Sequence, residues 1–188
     1  MKFLKLSLAS IIASTALFAG TYNVDTSHSH IGFKIKHMMI SNVKGSFDTF
    51  SGVIEYDEAT KTFKAITGKI EAASINTANE KRDVHLKSAD FFDVAQFPEI
   101  TFVLKKVEEN SVYGELSIHG VKKLVKLELE NNGIAKDPWG NQRMGLALKG
   151  EINRKDFGLN WNKALETGGV LVGETVKLEI ELEAILAK

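Results

Sequence analysis

Apolar residues recur at every second position along most of this chain. Ile31-Gly-Phe33-Lys-Ile35-Lys, Val125-Lys-Leu127-Glu-Leu129-Glu and Val176-Lys-Leu178-Glu-Ile180-Glu-Leu182-Glu carry the pattern most plainly. Side chains on a strand point alternately to opposite faces, so this period marks strands buried on one side only. Met144–Leu148 repeats it, and Val53–Tyr56, Phe63–Ile75, Ile100–Val107 and Val112–Ile118 are further strand candidates. Glu108–Ser111, His119-Gly120 and Asn131-Asn132-Gly133 fall between the runs as turn signals, at the short spacing of antiparallel hairpins. Eight or nine strands in one meander are expected. Closing the meander into a barrel removes its sticky edges, and about eight strands leave room inside for one small ligand. The other way to satisfy the pattern is a sandwich with a filled core.

Only one segment reads as helical. Thr77-Ala-Asn-Glu80 has capping-box spacing, and Lys81–Ser88 after it lacks Gly, Pro and alternation. Ala89–Pro98 then gathers three of the eleven phenylalanines in a stretch too irregular for a strand, which suits a plug. No repeat, low-complexity run or Pro-rich linker divides the chain, so a single all-β domain is expected.

The first residues have another character. Lys2 and Lys5 precede the apolar run Leu6–Phe18, which ends in small residues, as a secretory signal does. Residues 1–19 are therefore read as a signal peptide and 20–188 as the mature domain, with Leu17 an imperfect −3 residue for a cut after Ala19. The whole chain has 24 basic and 24 acidic residues; without Lys2 and Lys5 the balance is 22 − 24 = −2. Near neutrality and only three arginines, Arg82, Arg143 and Arg154, argue against nucleic-acid binding. No later apolar run reaches the roughly 20 residues of a membrane-spanning helix. The absence of Cys excludes disulfides, thiolate catalysis and cysteine-ligated zinc.

G-x-S-x-G, Walker A, G-x-G-x-x-G and H-E-x-x-H are all missing, so no enzyme is expected. His28-Ser29-His30 could set two imidazoles on one strand face, with His37, His85 or His119 as a third ligand, which makes a His-dependent metal protein the alternative reading. Arg82 and His85, three apart on the one helix, share a face and suit either anchoring or a ligand head group. Met38-Met39, Trp139, Phe157 and Trp161 are large apolar residues in expected loops, which suggests a lined mouth with Met38-Met39 on its lip.

Taken together, these residues resemble the YceI-like, polyisoprenoid-binding family. Tyr22-Asn-Val-Asp25, His28-Ser29, His37, Val43–Phe47 and Phe50-Ser-Gly52 resemble its beginning. Its most characteristic run is matched by Ser74–Thr77, Arg82-Asp83-Val-His85-Leu86-Lys-Ser88-Ala-Asp90-Phe91-Phe92-Asp93 and Phe97–Phe102, and the likeness continues through Gly114–Leu116, Gly120-Val121 and Asn153–Gly158. One departure is Val121-Lys-Lys-Leu-Val125, where the family's pattern usually has Val-Thr-Lys-Pro-Val. The resemblance implies a lipocalin-like antiparallel barrel, exported to the periplasm, around a long apolar cavity for an isoprenoid tail.

The expectation is thus an all-β, antiparallel eight-stranded lipocalin-like barrel with one short helix. It binds, transports or stores a polyisoprenoid such as a quinone or carrier lipid, or a long fatty-acid derivative, without a cofactor or a bound metal. The expected lining is Phe33, Ile35, Phe47, Phe50, Phe91, Phe92, Phe102, Leu116, Leu146, Leu148, Trp161 and Leu178. The expected partner is that lipid alone, with no nucleic acid and no integral membrane segment in the mature chain, and a homodimer left open.

Overall fold

The computed structural model describes residues 19–166 and 168–188, so the expected signal segment lies outside them apart from Ala19. Eleven strands appear in chain order. They are β1 (Gly20–Val24), β2 (His30–His37), β3 (Ser41–Phe47), β4 (Phe50–Asp57), β5 (Thr62–Glu71), β6 (Ile75–Asn76), β7 (Glu99–Glu108), β8 (Ser111–Ile118), β9 (Val121–Lys136), β10 (Gln142–Asn153) and β11 (Val172–Leu186). All pairings are antiparallel. Eight strands close a ring in the order β1-β4-β5-β7-β8-β9-β10-β11 and back to β1. The long β11 also pairs with β2, so that β2, β3 and the short β6 continue the wall beyond β1 and β4. A closed ring has a lumen, and the sandwich is set aside.

The alternation decides which way each strand faces. Val176, Leu178 and Ile180 of β11 stand opposite Ile35, Phe33 and Ile31 of β2, all turned inward. Lys34, Lys149 and Lys177 form ion pairs with Glu179, Glu130 and Glu151 on the outer surface. An apolar lumen inside a charged wall is the reverse of a transmembrane barrel, which needs an apolar outer belt. Among the described residues no helix is long and apolar enough to cross a membrane.

One turn reading and one helix-cap reading need correction. Asn131-Asn132-Gly133 is not a turn, because β9 runs through it for 16 residues in all. Gly133, at φ 86, pairs with Gly145 while Asn131 pairs with Leu146, so the extra Asn132 makes a β-bulge and the ladder continues. The hairpin instead turns at Asp137–Asn141, where Asp137 Oδ1 accepts from the backbone N–H of Trp139 at 3.0 Å and of Asn141 at 2.8 Å. Nor does Thr77 cap the helix. α1 spans Glu80–Lys87 and is capped by Asn79, whose Oδ1 accepts from the Arg82 N–H at 3.0 Å. Thr77 is engaged by Asp83, which accepts from its N–H at 3.0 Å and also from its hydroxyl.

The two ends of the barrel differ. At one end Tyr22, Ile54, Met144, Leu146 and Ala184 are at most 1% exposed and seal the lumen. Tyr22 Oη donates to Glu58 Oε1 at 2.8 Å and accepts from Gln142 Nε2 at 2.7 Å, so its buried hydroxyl is satisfied. At the other end the wall continues into β2, β3, α1 and the connection from Arg154 to Leu171, which surround a mouth.

Candidate functional site

Behind that mouth lies a cavity of about 400 Å³, within the range of small-molecule sites. A deeper chamber of about 80 Å³ follows it, and Ile31, Ile70, Ile100, Leu116, Leu178 and Ile180 line both spaces. The result is one apolar passage, open near α1 and blind at the sealed end.

Each wall follows from strand parity. Ile31, Phe33 and Ile35 come from β2, Val43 and Phe47 from β3, and Val176, Leu178 and Ile180 from β11. The deep chamber exists because β4 and β5 set two inward glycines, Gly52 and Gly68, directly opposite each other. Gly68 in turn faces Phe102 of β7, whose ring lies across the inward Gly114 of β8, where a Cβ would be only 2.1 Å from it.

Aromatic residues collar the mouth. The His85 ring meets Phe91 edge-on at 5.1 Å and Trp161 at 4.8 Å, and the Phe91 and Trp161 rings are 5.2 Å apart. His85 Nε2 lies 2.8 Å from Asp90 Oδ2, which fixes the ring. Phe92 packs edge-on against Phe47 at 5.9 Å, and Phe47 in turn packs against Phe33 at 5.8 Å. Arg82 donates from Nε to Thr77 Oγ1 at 2.7 Å and from Nη2 to the Thr77 carbonyl at 2.8 Å, tying α1 to the rim.

The expected lining residues divide into three groups. Phe33, Ile35, Phe47, Phe91, Phe92, Leu116, Trp161 and Leu178 line the main cavity, and Phe50, Phe102 and Leu148 line the deep chamber. Leu146 does neither; it is 1% exposed in the sealed end, because its inward position on β10 lies two residues past Leu148, beyond the blind wall. Ile31, Ile70 and Ile100 line both chambers and were not expected, although Ile31 belongs to the same alternation as Phe33 and Ile35. Arg154 lines the cavity too, and no periodicity announces it.

The loop aromatics also separate. Trp161 is at the mouth, but Phe157 is a core residue at 1% exposure and Trp139, 80% exposed, lies at the opposite end in the β9–β10 turn. Of the plug phenylalanines, Phe91 and Phe92 close over the cavity, whereas Phe97 packs on His119 with ring centroids 4.5 Å apart.

His28 and His30 do not share a ligand site. Among the described residues, one group has its ligand atoms close enough for a metal ion: Asp25, His28 and Glu183. Arg143 already occupies it, with Nη1 at 2.8 Å from Asp25 Oδ2 and 2.5 Å from Glu183 Oε1, while Nε lies 2.9 Å from Asp137 Oδ2. A guanidinium bridging three carboxylates satisfies the charge that a cation would otherwise neutralise. Hydrogen bonds from Ser27, His28 and Arg143 hold the Asp25 carboxyl well below the usual carboxylate range.

Comparison with known proteins agrees with this architecture. The profile of the YceI-like domain matches residues 22–184. A UPF0312 protein of Staphylococcus aureus strain MSSA476 is 48% identical over 164 residues, covering 86% of this chain and 95% of that protein. The crystal structure of a Campylobacter jejuni YceI protein superposes with a TM-score of 0.71 at 39% identity, covering 87% of this chain and 96% of the other. A polyisoprenoid-binding domain from Saccharophagus degradans, implicated in plant cell wall breakdown, has the same fold, with a TM-score of 0.69 at 19% identity over 90% of this chain and 99% of its own.

Proposed function

This chain belongs to the YceI-like domain family, and from that premise we propose that it is a periplasmic carrier or store for one amphiphilic lipid. The preferred ligand is a polyisoprenoid, such as a quinone or carrier lipid, with a long fatty-acid derivative as the second choice. The observation that carries the reading is the blind apolar passage, whose two chambers share six residues. An elongated tail fits such a space, and each enclosed methylene contributes about 0.8 kcal/mol. The tail enters first and ends at the seal formed by Tyr22, Ile54 and Met144, leaving the head at the collar of His85, Phe91 and Trp161.

Binding rather than catalysis is the role proposed, since His85 at the mouth is engaged by Asp90 and the one hydroxyl side chain among the described residues lining the main cavity, Thr77, is bonded to Asp83. The Met38-Met39 tip of the β2–β3 hairpin stands beside the mouth as its lip, with the Met38 N–H donating to the Leu171 carbonyl at 2.8 Å.

Native mass spectrometry of protein purified without detergent, followed by organic extraction, tests the proposal. The expected result is one bound lipid per chain that is lost on extraction. Protein that comes off empty and also refuses added isoprenoids would sink the reading.

A further inference from the structure

The charges along the passage are all of one sign. The charged residues lining the main cavity are Lys36, Lys81, Arg82 and Arg154, accompanied by His37 and His85, and no Asp or Glu is among them; Lys36 has the strand parity of Lys34, so its exposed side chain stands on the outer face. In a chain with 24 basic and 24 acidic residues, composition does not produce that bias. The deep chamber has no charged residue in its wall, so the charge is confined to the mouth end.

The two arginines come from different elements, Arg82 from α1 and Arg154 from the turn after β10, and are satisfied by neutral acceptors only. Arg154 is 3% exposed. Its Nε donates to the Gly173 carbonyl at 2.8 Å and its Nη2 to the Val172 carbonyl at 3.5 Å, while Nη1 donates to the Leu159 carbonyl. A guanidinium has five N–H groups, so two remain. Glu174, the carboxylate that acts on it from a distance, is held by Lys155 Nζ at 2.5 Å. Arg82 spends two donors on Thr77, and its neighbour Asp83 is spent on the same threonine. Among the described residues, Lys81, exposed at the rim, has no carboxylate within 4.0 Å.

Burying a cation without a counter-charge is costly, and burial already pushes the Arg154 guanidinium below its ordinary value. Anchoring the 159–173 connection accounts for three of the Arg154 donors. It does not account for Lys81 or for Arg82 on α1.

We infer that the cavity selects an amphiphile with an anionic head, a phosphate or a carboxylate, held at the mouth by Arg154, Arg82 and Lys81 while the tail runs into the uncharged deep chamber. This rests on the lipid-binding reading and names its ligand class. The head brings the counter-charge that the wall lacks, and the burial of Arg154 strengthens its contact most.

The test keeps the tail constant and changes the head. Delipidated full-length protein is titrated with geranylgeranyl phosphate, geranylgeraniol and geranylgeranylamine, read by the fluorescence of Trp161 at the mouth. The expected order is phosphate, then alcohol, then amine, with roughly tenfold or more between the first two, a gap that narrows as salt is added. Lys81→Gln, at an exposed position of α1 away from the barrel core, should shrink the phosphate-to-alcohol ratio several-fold. Equal affinity for phosphate and alcohol overturns the anionic-head assignment and leaves lipid binding standing. Failure of all three probes to bind overturns both. Inorganic phosphate is the last arm: binding as tight as that of the prenyl phosphate would make this a free-anion site and overturn the head-group assignment as well.

Discussion

At the scale of single residues, two inward glycines do opposite things to the passage. A Cβ on Gly114 would fall 2.1 Å from the Phe102 ring, so Gly114→Ala must displace a packed aromatic, an overpacking cost of about 1–3 kcal/mol. A Cβ on Gly68 would meet only the Phe102 Cβ, at 4.0 Å, and its backbone is in an ordinary extended conformation. Gly68→Leu is therefore expected to fold normally and to fill the deep chamber of about 80 Å³. If the tail reaches that chamber, expelling about three methylenes at about 0.8 kcal/mol each weakens the longest ligands roughly fiftyfold and leaves short ones unaffected. Dissociation constants across a prenyl-length series measure this, and an equal loss at every length would show that the tail stops short. Strand parity made residues such as Phe33 and Leu178 legible from their own neighbours. Leu146 has the same parity as Leu148, and only the position of the seal, fixed by strands far away in the chain, separates the two. Arg154 was not legible as a lining residue, because its place depends on carbonyls of Leu159, Val172 and Gly173 in a connection without periodicity.

At the scale of elements, the β2–β3 hairpin gives up local stability to expose apolar side chains. In its three-residue loop, Met38–Ile40, the Ile40 N–H donates to the His37 carbonyl and the two central turn residues are Met38 at φ 51 and Met39 at φ 63, in the left-handed region where Asn-Gly is the favoured pair. Met39 is 60% exposed and Ile40 81%. A left-handed residue with a side chain costs about 1–2 kcal/mol, so Met38→Asn with Met39→Gly should raise the melting temperature. If the tip is the lip of the mouth, the same exchange slows the transfer of a fluorescent isoprenoid from vesicles into the barrel. Stopped-flow transfer measured beside a thermal melt separates the two effects, and an unchanged rate would remove the tip from the loading path. Elements of this fold are legible where one face is buried and one is wet. They are least legible where a turn-forming pair is put to another use, as at Asn132-Gly133, which supplies a bulge inside β9 because β10 continues to pair on both sides of it. The Asn79 cap of α1 is hidden in the same way, since Thr77 and Glu80 satisfy the capping-box spacing while Thr77 is bonded to Asp83 instead.

At the scale of the whole molecule, the barrel closes through its weakest seam. β1 meets β11 over only three residue pairs, Tyr22↔Leu186, Asn23↔Ile185 and Val24↔Ala184. Arg143 clasps that seam by joining Asp25 after β1, Glu183 on β11 and Asp137 in the β9–β10 turn. Hydrogen bonds from the Asn141 side chain and then from Arg143 lower the Asp137 carboxyl from 3.8 to about 2, and Asp25 is held lower still by Ser27, His28 and Arg143. A carboxyl depressed in the folded state binds its proton less readily than in the unfolded chain. Its contribution is therefore complete above its unfolded value, near 3.8, and is lost as pH falls through the folded one, near 2. The melting temperature should accordingly hold steady from neutral pH to about pH 4 and drop below it as the clasp protonates. Asp137→Asn removes the titrating group, so it should lower stability at pH 7 while flattening the decline between pH 4 and 2. Arg143→Gln leaves three carboxylates crowded at the seam, and its deficit should be largest at neutral pH and shrink on acidification, when those groups become neutral. Thermal melts of the three proteins from pH 7 to pH 2 check both signs, and an Arg143→Gln deficit that grew on acidification would mean that the seam is held by its strand pairing and not by charge.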